Sequence, residues 1–276
     1  MLIGIAWKNI FRHKKRTMLT AMIITIGIVM VILFSGATSA FKKVMVGQIT
    51  DSMLGHIQVH KKGYMTNVDT QPLDLVIKQS LETKLLKELN NIEEIVGVTP
   101  RLKFSGMVSN YDKSVAMKIA AIDPLREEII SPDLKNRING IDKLTEITKG
   151  SIILSKVVAK NMGLKIGDDI VLIATNASGA VNGLNLNIVG IIELAIGPDG
   201  KNGYMRLDDA KELLRMEENI ELALRIDKLE NVELVQEKIK SIIGSTLLNK
   251  EGKPALEVHQ WEELTNFTST LTIIDI

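Results

Sequence analysis

The side chains able to do chemistry are scattered along the chain. Four histidines occur, and His56 and His60 fall four apart in LGHIQVHKKGY, residues 54–64. That segment alternates apolar and polar residues as a strand does. At about 3.3 Å per residue the two rings would stand about 13 Å apart, too far to share one metal ion, so they read as surface histidines of a strand. Acidic pairs at Asp168-Asp169, Asp208-Asp209 and Glu217-Glu218 lie at turns and helix starts, where carboxylates satisfy backbone N–H groups. Gly200-Lys201 and Gly252-Lys253 lack both the upstream glycine and the following Ser or Thr of a phosphate-binding loop. Neither HExxH nor GxSxG occurs, and with no cysteine there are no disulfides and no thiolate ligands. Asn176-Ala177-Ser178 and Asn266-Phe267-Thr268 match a glycosylation acceptor, a pattern short enough to recur by chance. No catalytic, cofactor-binding or metal-ligating residue is therefore assigned.

The elements that hold these residues explain more than the residues do. Thr17 to Phe41 carries no charge, and a helix of about 25 residues at about 1.5 Å per residue more than spans a hydrocarbon core of about 30 Å. The apolar part of a cleaved signal peptide would run to only about 7–15 residues, so residues 17–41 read as an uncleaved transmembrane helix. Residues 1–16 form a basic foot, with Trp7, Ile10 and Phe11 among Lys8, Arg12, Lys14, Lys15 and Arg16, suited to an amphipathic helix at a lipid interface. More Lys and Arg precede the span than closely follow it, at Lys42 and Lys43. The positive-inside rule then places the N-terminus in the cytoplasm and the head outside it.

Seven of the 34 Lys and Arg precede residue 44, whereas none of the 33 Asp and Glu precedes Asp51. The head is thus net acidic, which argues against a nucleic-acid partner, and the foot suits anionic lipid. Residues 42–53 read as a helical stalk. Strands are expected near 54–64, 73–78, 95–109 and 115–122, with Leu81, Leu85, Leu89 and Ile92 on one helix face between them. Residues 123–149 are turn-rich. Ser155 caps a helix that Gly163 ends, and Asp169–Ala174 and Leu184–Leu194 are strands. Asp209 and Glu212 make a capping box for a helix over 210–216. Glu221–Ile226 is a strand, Val232, Val235, Ile239 and Ile242 line a helix, and Leu256–Val258 is extended. Trp261, Leu264, Phe267, Leu271 and Ile274 begin a helix, with 263–276 leading toward a second span. The class is α+β.

WKNIFRHKKRT (7–17), GHIQVHKKGY (55–64), LSKVVAKNMGLKIGDDIVLIA (154–174), LNIVGIIELAIGPDGKNGYMRLDDAKELL (186–214) and VHQWEEL (258–264) together resemble the FtsX-like permease family of ABC exporters, with its MacB-type extracytoplasmic core domain. GHIQVHKKGY is most similar to the lipoprotein-releasing, LolC/LolE-like branch. The resemblance implies four spans, three of them beyond this sequence. It also implies a head with a porter-like part (43–122 and 219–262) and an inserted α+β part (123–218). The implied activity is non-catalytic: a separate ABC ATPase subunit and a second permease subunit cooperate to move cargo, lipoprotein or other, from the membrane or to a periplasmic carrier. A membrane-anchored sensor or adhesion head without an ATPase is the alternative.

Overall fold

The computed structural model describes residues 14–193, 202–249 and 251–264. The foot before Lys14, the Gly200-Lys201 pair, Asn266 and the apolar run through Phe267, Leu271 and Ile274 lie outside them. The chain divides into two units, Met1–Gly47 and Gln48–Ile276.

The first unit holds most of helix α1 (Lys14–Ile49), 36 residues or about 54 Å long at about 1.5 Å per residue. Its segment Lys14–Thr38 is long and apolar enough to cross a membrane. Met18, Ile24, Ile32 and Phe34 are all exposed on it, so the helix is apolar around its circumference and has no polar face for water. Its Thr20 and Thr25 hydroxyls donate to the carbonyls of Arg16 and Ala21, at 3.0 and 2.9 Å, which leaves neither unpaired in an apolar surround.

In the second unit, the α winding expected through Met53 stops at Ile49, and a five-residue π-helix follows, Thr50–Leu54. The Gly55 N–H closes it by donating to Thr50 O at 3.0 Å. Gly55 then turns the chain with φ 74° and ψ −172°, and a Cβ there would meet Ile130 Cγ2 and Leu224 O, each at 3.1 Å. Only glycine fits both the angle and the space.

From that corner run β1 (Ile57–Lys61), α2 (Gln79–Leu89), the long hairpin β2 (Ile95–Ser109) and β3 (Ser114–Ile122), α3 (Pro124–Ile130) and the short β4 (Ile138–Asn139). Next come β5 (Ser151–Ser155), α4 (Lys156–Met162), β6 (Asp169–Thr175), β7 (Val181–Ile192), β8 (Asn202–Arg206) and α5 (Leu207–Leu214). The rest is β9 (Glu221–Ile226), α6 (Val232–Thr246), β10 (Leu256–Gln260) and α7 (Trp261–Leu264). Among the described residues one mixed sheet runs β10-β1-β9-β2-β3-β8-β5-β7-β4, with β6 on β2 and β7. The β3–β8 and β5–β7 pairs are parallel. Helices cover the sheet, as an α+β head requires. Leu85 and Leu89 of α2 and Val235 and Ile239 of α6 pack on Val59 and Leu224. Phe104, Ile119, Leu154, Val158, Leu172 and Leu213 form a second core.

Local signals behave as their chemistry dictates. The Ser155 hydroxyl accepts from Val158 N–H at 3.3 Å and Gly163, at φ 73°, ends α4. Three expectations need correction. Leu73–Lys78 is not a strand; only Ile77 bridges, to Asn219. In α6 the buried face continues through Ile243, not Ile242. Finally, Asp209 caps nothing: α5 starts at Leu207, and the Asp209 carboxylate is buried within it, accepting from Gly150 N–H at 2.8 Å. Burial raises the Asp209 pKa against that bond.

Candidate functional site

The two strand histidines are not on the surface. Strand β1 is paired on both edges, to β9 and β10, and its polar face is covered, so His56 and His60 are both buried. Ile57 and Val59 fill the core on one face, while the other face carries polar residues that each find a partner, as buried polar groups must. The Gln58 amide donates to Leu54 O at 2.8 Å. His56 Nδ1 accepts from Ile226 N–H at 3.0 Å, and burial, with Arg225 nearby, lowers the His56 pKa.

Strand register builds the rest. In β9, Glu221 stands opposite His60 of β1 and Arg101 of β2, so one row across three strands reads His60, Glu221, Arg101. Glu221 accepts from Arg101 Nη1 at 2.9 Å, and its other oxygen lies 3.2 Å from His60 Nε2 and 2.5 Å from Lys103 Nζ. The opposite side of the guanidinium meets Glu127 of α3 in a two-pronged pairing, Nε to Oε2 at 3.0 Å and Nη2 to Oε1 at 2.6 Å. Nη2 also donates to Ser131 Oγ at 3.2 Å. Arg101, Glu127 and Glu221 are each at most 2% exposed.

The buried guanidinium and the partly exposed Lys103 therefore meet two buried carboxylates, a balance that makes buried charge tolerable. Burial opposes ionisation of Glu221, but Lys103, the His60 bond and Arg101 together hold its pKa well below the usual range. Glu127 and Glu221 likewise raise that of Arg101 against its burial. Burial lowers the His60 pKa in spite of its Glu221 bond. His60 stacks on Tyr64 with centroids 4.8 Å apart, and burial pushes the Tyr204 hydroxyl of β8 up to about 12.

This cluster grips the π turn. Arg101 Nη1 donates to Leu54 O at 3.2 Å, Arg137 Nε to Ser52 Oγ at 3.2 Å, and Arg225 Nη1 pairs with Asp51 Oδ1 at 2.8 Å. Asp133 N–H donates to Asp51 O at 2.9 Å. A cavity of about 260 Å³ opens alongside, lined by Met53, Leu54, Lys103, Ile119 and Tyr204 among others. Both carboxylates are saturated by cations, so neither is poised as an acid or base, and two resident cations would repel a metal ion. Among the described residues no group of three or more His, Asp and Glu is placed to hold a metal. What the arrangement can do is mechanical: it fastens one turn of helix to β2, β9 and α3 at once.

Sequence reasoning did not single out Arg101, Glu127 or Glu221. The available signal was a charge inside an apolar strand, Arg101 in Val98-Thr99-Pro100-Arg101-Leu102 and Glu221 opening Glu221–Ile226. The acidic pairs do hold turns: Asp168 accepts from Lys165 N–H at 2.8 Å and Glu218 from Glu217 N–H at 3.3 Å.

Residues 17–242 match the family model of the MacB-like periplasmic core domain. The fold is similar to that of the periplasmic region of MacB from Actinobacillus actinomycetemcomitans, with TM-score 0.52, 14% identity, and coverage of 81% of this chain and 95% of that one. The extracellular domain of the noncanonic ABC-type transporter YknZ from Gram-positive bacteria gives TM-score 0.48 at 10% identity, covering 75% of this chain and 100% of that one. No curated protein matches by sequence.

Proposed function

Since the chain belongs to the family of MacB-like periplasmic core domains of ABC transporter permeases, we propose that it is a permease subunit whose extracytoplasmic head is moved by a separate ATPase chain. The observation that carries this is the span of the family match, residues 17–242, which takes in the apolar helix and most of the head as one piece. The basic residues Lys14, Lys15 and Arg16 at the start of the apolar helix favour an N-terminus in the cytoplasm by the positive-inside rule, on the side where ATP is hydrolysed. ATP binding closes a pair of ATPase subunits. Two permease subunits, identical or paired with a relative, then switch between two rigid-body arrangements.

The cargo is a lipoprotein released from the outer leaflet of the cytoplasmic membrane, on the strength of GHIQVHKKGY and its resemblance to the lipoprotein-releasing branch. The Arg101 cluster fits such a role because a head that is moved as a body must keep its shape, and the cluster ties β2, β9 and α3 together.

The test is reconstitution of the full-length permease with its ATPase in proteoliposomes carrying a lipid-anchored protein. ATP should release that protein to a soluble acceptor, and vanadate should stop the release. Absence of a stable ATPase complex would refute the function; release of a different cargo class would refute only the lipoprotein assignment.

A further inference from the structure

Resting on that function, we propose that the π turn Thr50–Leu54 is the moving part of the joint. It is an extra residue held in reserve, which rewinds to α when the stalk is driven and lets the stalk turn and advance against a head that keeps its shape.

A π turn closes its hydrogen bonds one residue later than an α turn, as Gly55 N–H to Thr50 O does at 3.0 Å. Isolated π turns are rare and concentrate at functional sites. Rewinding this one to α would turn everything upstream by about 100° and shift it by about 1.5 Å, one residue's share of an α-helix.

The downstream side cannot absorb such motion. Gly55 is confined by Ile130 and Leu224. His56 N–H donates to Leu224 O at 2.8 Å and His56 O accepts from Trp261 N–H at 3.1 Å, and β1 is paired on both edges. Compliance must therefore lie in the turn itself.

The clamps on the turn are graded. At its C-terminal end Leu54 O is held by the buried Arg101 and by Gln58. Toward its start, the Asp51 and Arg225 side chains are each 25% exposed. That outer pair lies nearer water than the inner one, with Asp51 O also accepting from Asp133 N–H at 2.9 Å, and the inner one cannot open without stranding buried charge. A helix that merely had to end here could have stopped at an αL glycine with no help from three arginines. The arrangement is that of a turn held in an uncommon winding and allowed to let go from its outer end.

The chain has no cysteine, so Val44→Cys on the stalk and Lys160→Cys on α4 supply a clean pair of spin labels. Their separation is measured by pulsed electron resonance in the full-length permease with its ATPase, with and without ATP and vanadate. The labelled parent should shift between two distances. Deleting Met53, which removes the residue held in reserve and leaves an α turn over the same path, should hold the nucleotide-free distance in both conditions and cut cargo released per ATP about tenfold, a coupling loss of ordinary size. Arg225→Gln, which loosens the outer clamp at constant length, should show both distances without nucleotide. A Met53 deletion that shifts and releases like the parent overturns the proposal. Should that variant not fold, an Arg225→Gln variant with the parent's nucleotide-free distance overturns it instead. A parent that never responds to nucleotide refutes the underlying function, and the π-turn switch with it.

Discussion

Arg101 touches three stretches far apart in sequence: Leu54 at the foot of the stalk, Glu127 on α3 and Glu221 on β9. Arg101→Met would leave two buried carboxylates short of a partner, and breaking a buried pair from one side costs about 3–5 kcal/mol. Denaturant unfolding of the head should show a loss of that order. The double variant Arg101→Met, Glu127→Met, which keeps charge in balance, should recover part of it. A loss as small as that of a surface pair, under about 1 kcal/mol, would mean water reaches the cluster. His60 adds a pH dependence. Its folded pKa lies below the ordinary 6.5, so as pH falls through that value the unfolded chain binds a proton that the folded one refuses, and stability drops. His56 acts in the same direction. Glu221, whose folded pKa is depressed, stabilises the fold above the ordinary carboxylate range, and that contribution is lost only in stronger acid. A proton on His60 Nδ1 would find no acceptor among the described residues. The Tm of the head should fall between pH 7 and pH 5, and fall less in His60→Gln. Equal slopes in the two proteins would exclude His60 as the cause.

Secondary structure follows local rules closely enough that much of the head is legible in the sequence. Ser155 and Gly163 bracket α4 because a hydroxyl cap and an αL stop act within a few residues, and the alternation of β1 marks it as a strand. The polar face of β1 misled, because alternation shows that one face differs from the other but not that water covers it. Here the π turn and its neighbours do. Likewise nothing in Gln48-Ile49-Thr50-Asp51-Ser52 distinguishes π from α winding, since the choice rests on arginines at 101, 137 and 225 that only the fold brings together. The same holds for the Arg101 row, which is a product of strand register. Gly55 tests the corner between turn and strand: Gly55→Ala places a Cβ 3.1 Å from both Ile130 Cγ2 and Leu224 O at a positive φ. It should cost at least about 1–3 kcal/mol, read as a lowered denaturation midpoint. A neutral result would show that the corner relaxes.

At the scale of the whole molecule, an apolar helix and a net acidic head give one chain two solvents. Helix α1 should keep the full-length protein in the membrane fraction through a carbonate wash, because an apolar helix of this length is not displaced by pH or salt as a surface contact is; recovery in the supernatant would remove the anchor. The head's function then depends on whether α1 passes force through a continuous helix to the joint at Thr50–Leu54. Three flexible residues, Gly-Gly-Ser, inserted after Val46 interrupt that helix, and flexible residues transmit little torque. Cargo release and ATP turnover are to be measured in the same preparation of the full-length permease with its ATPase. Force transmission predicts that turnover persists while release is lost. Release and turnover that both stay normal would make the stalk a passive tether and contradict the mechanical account.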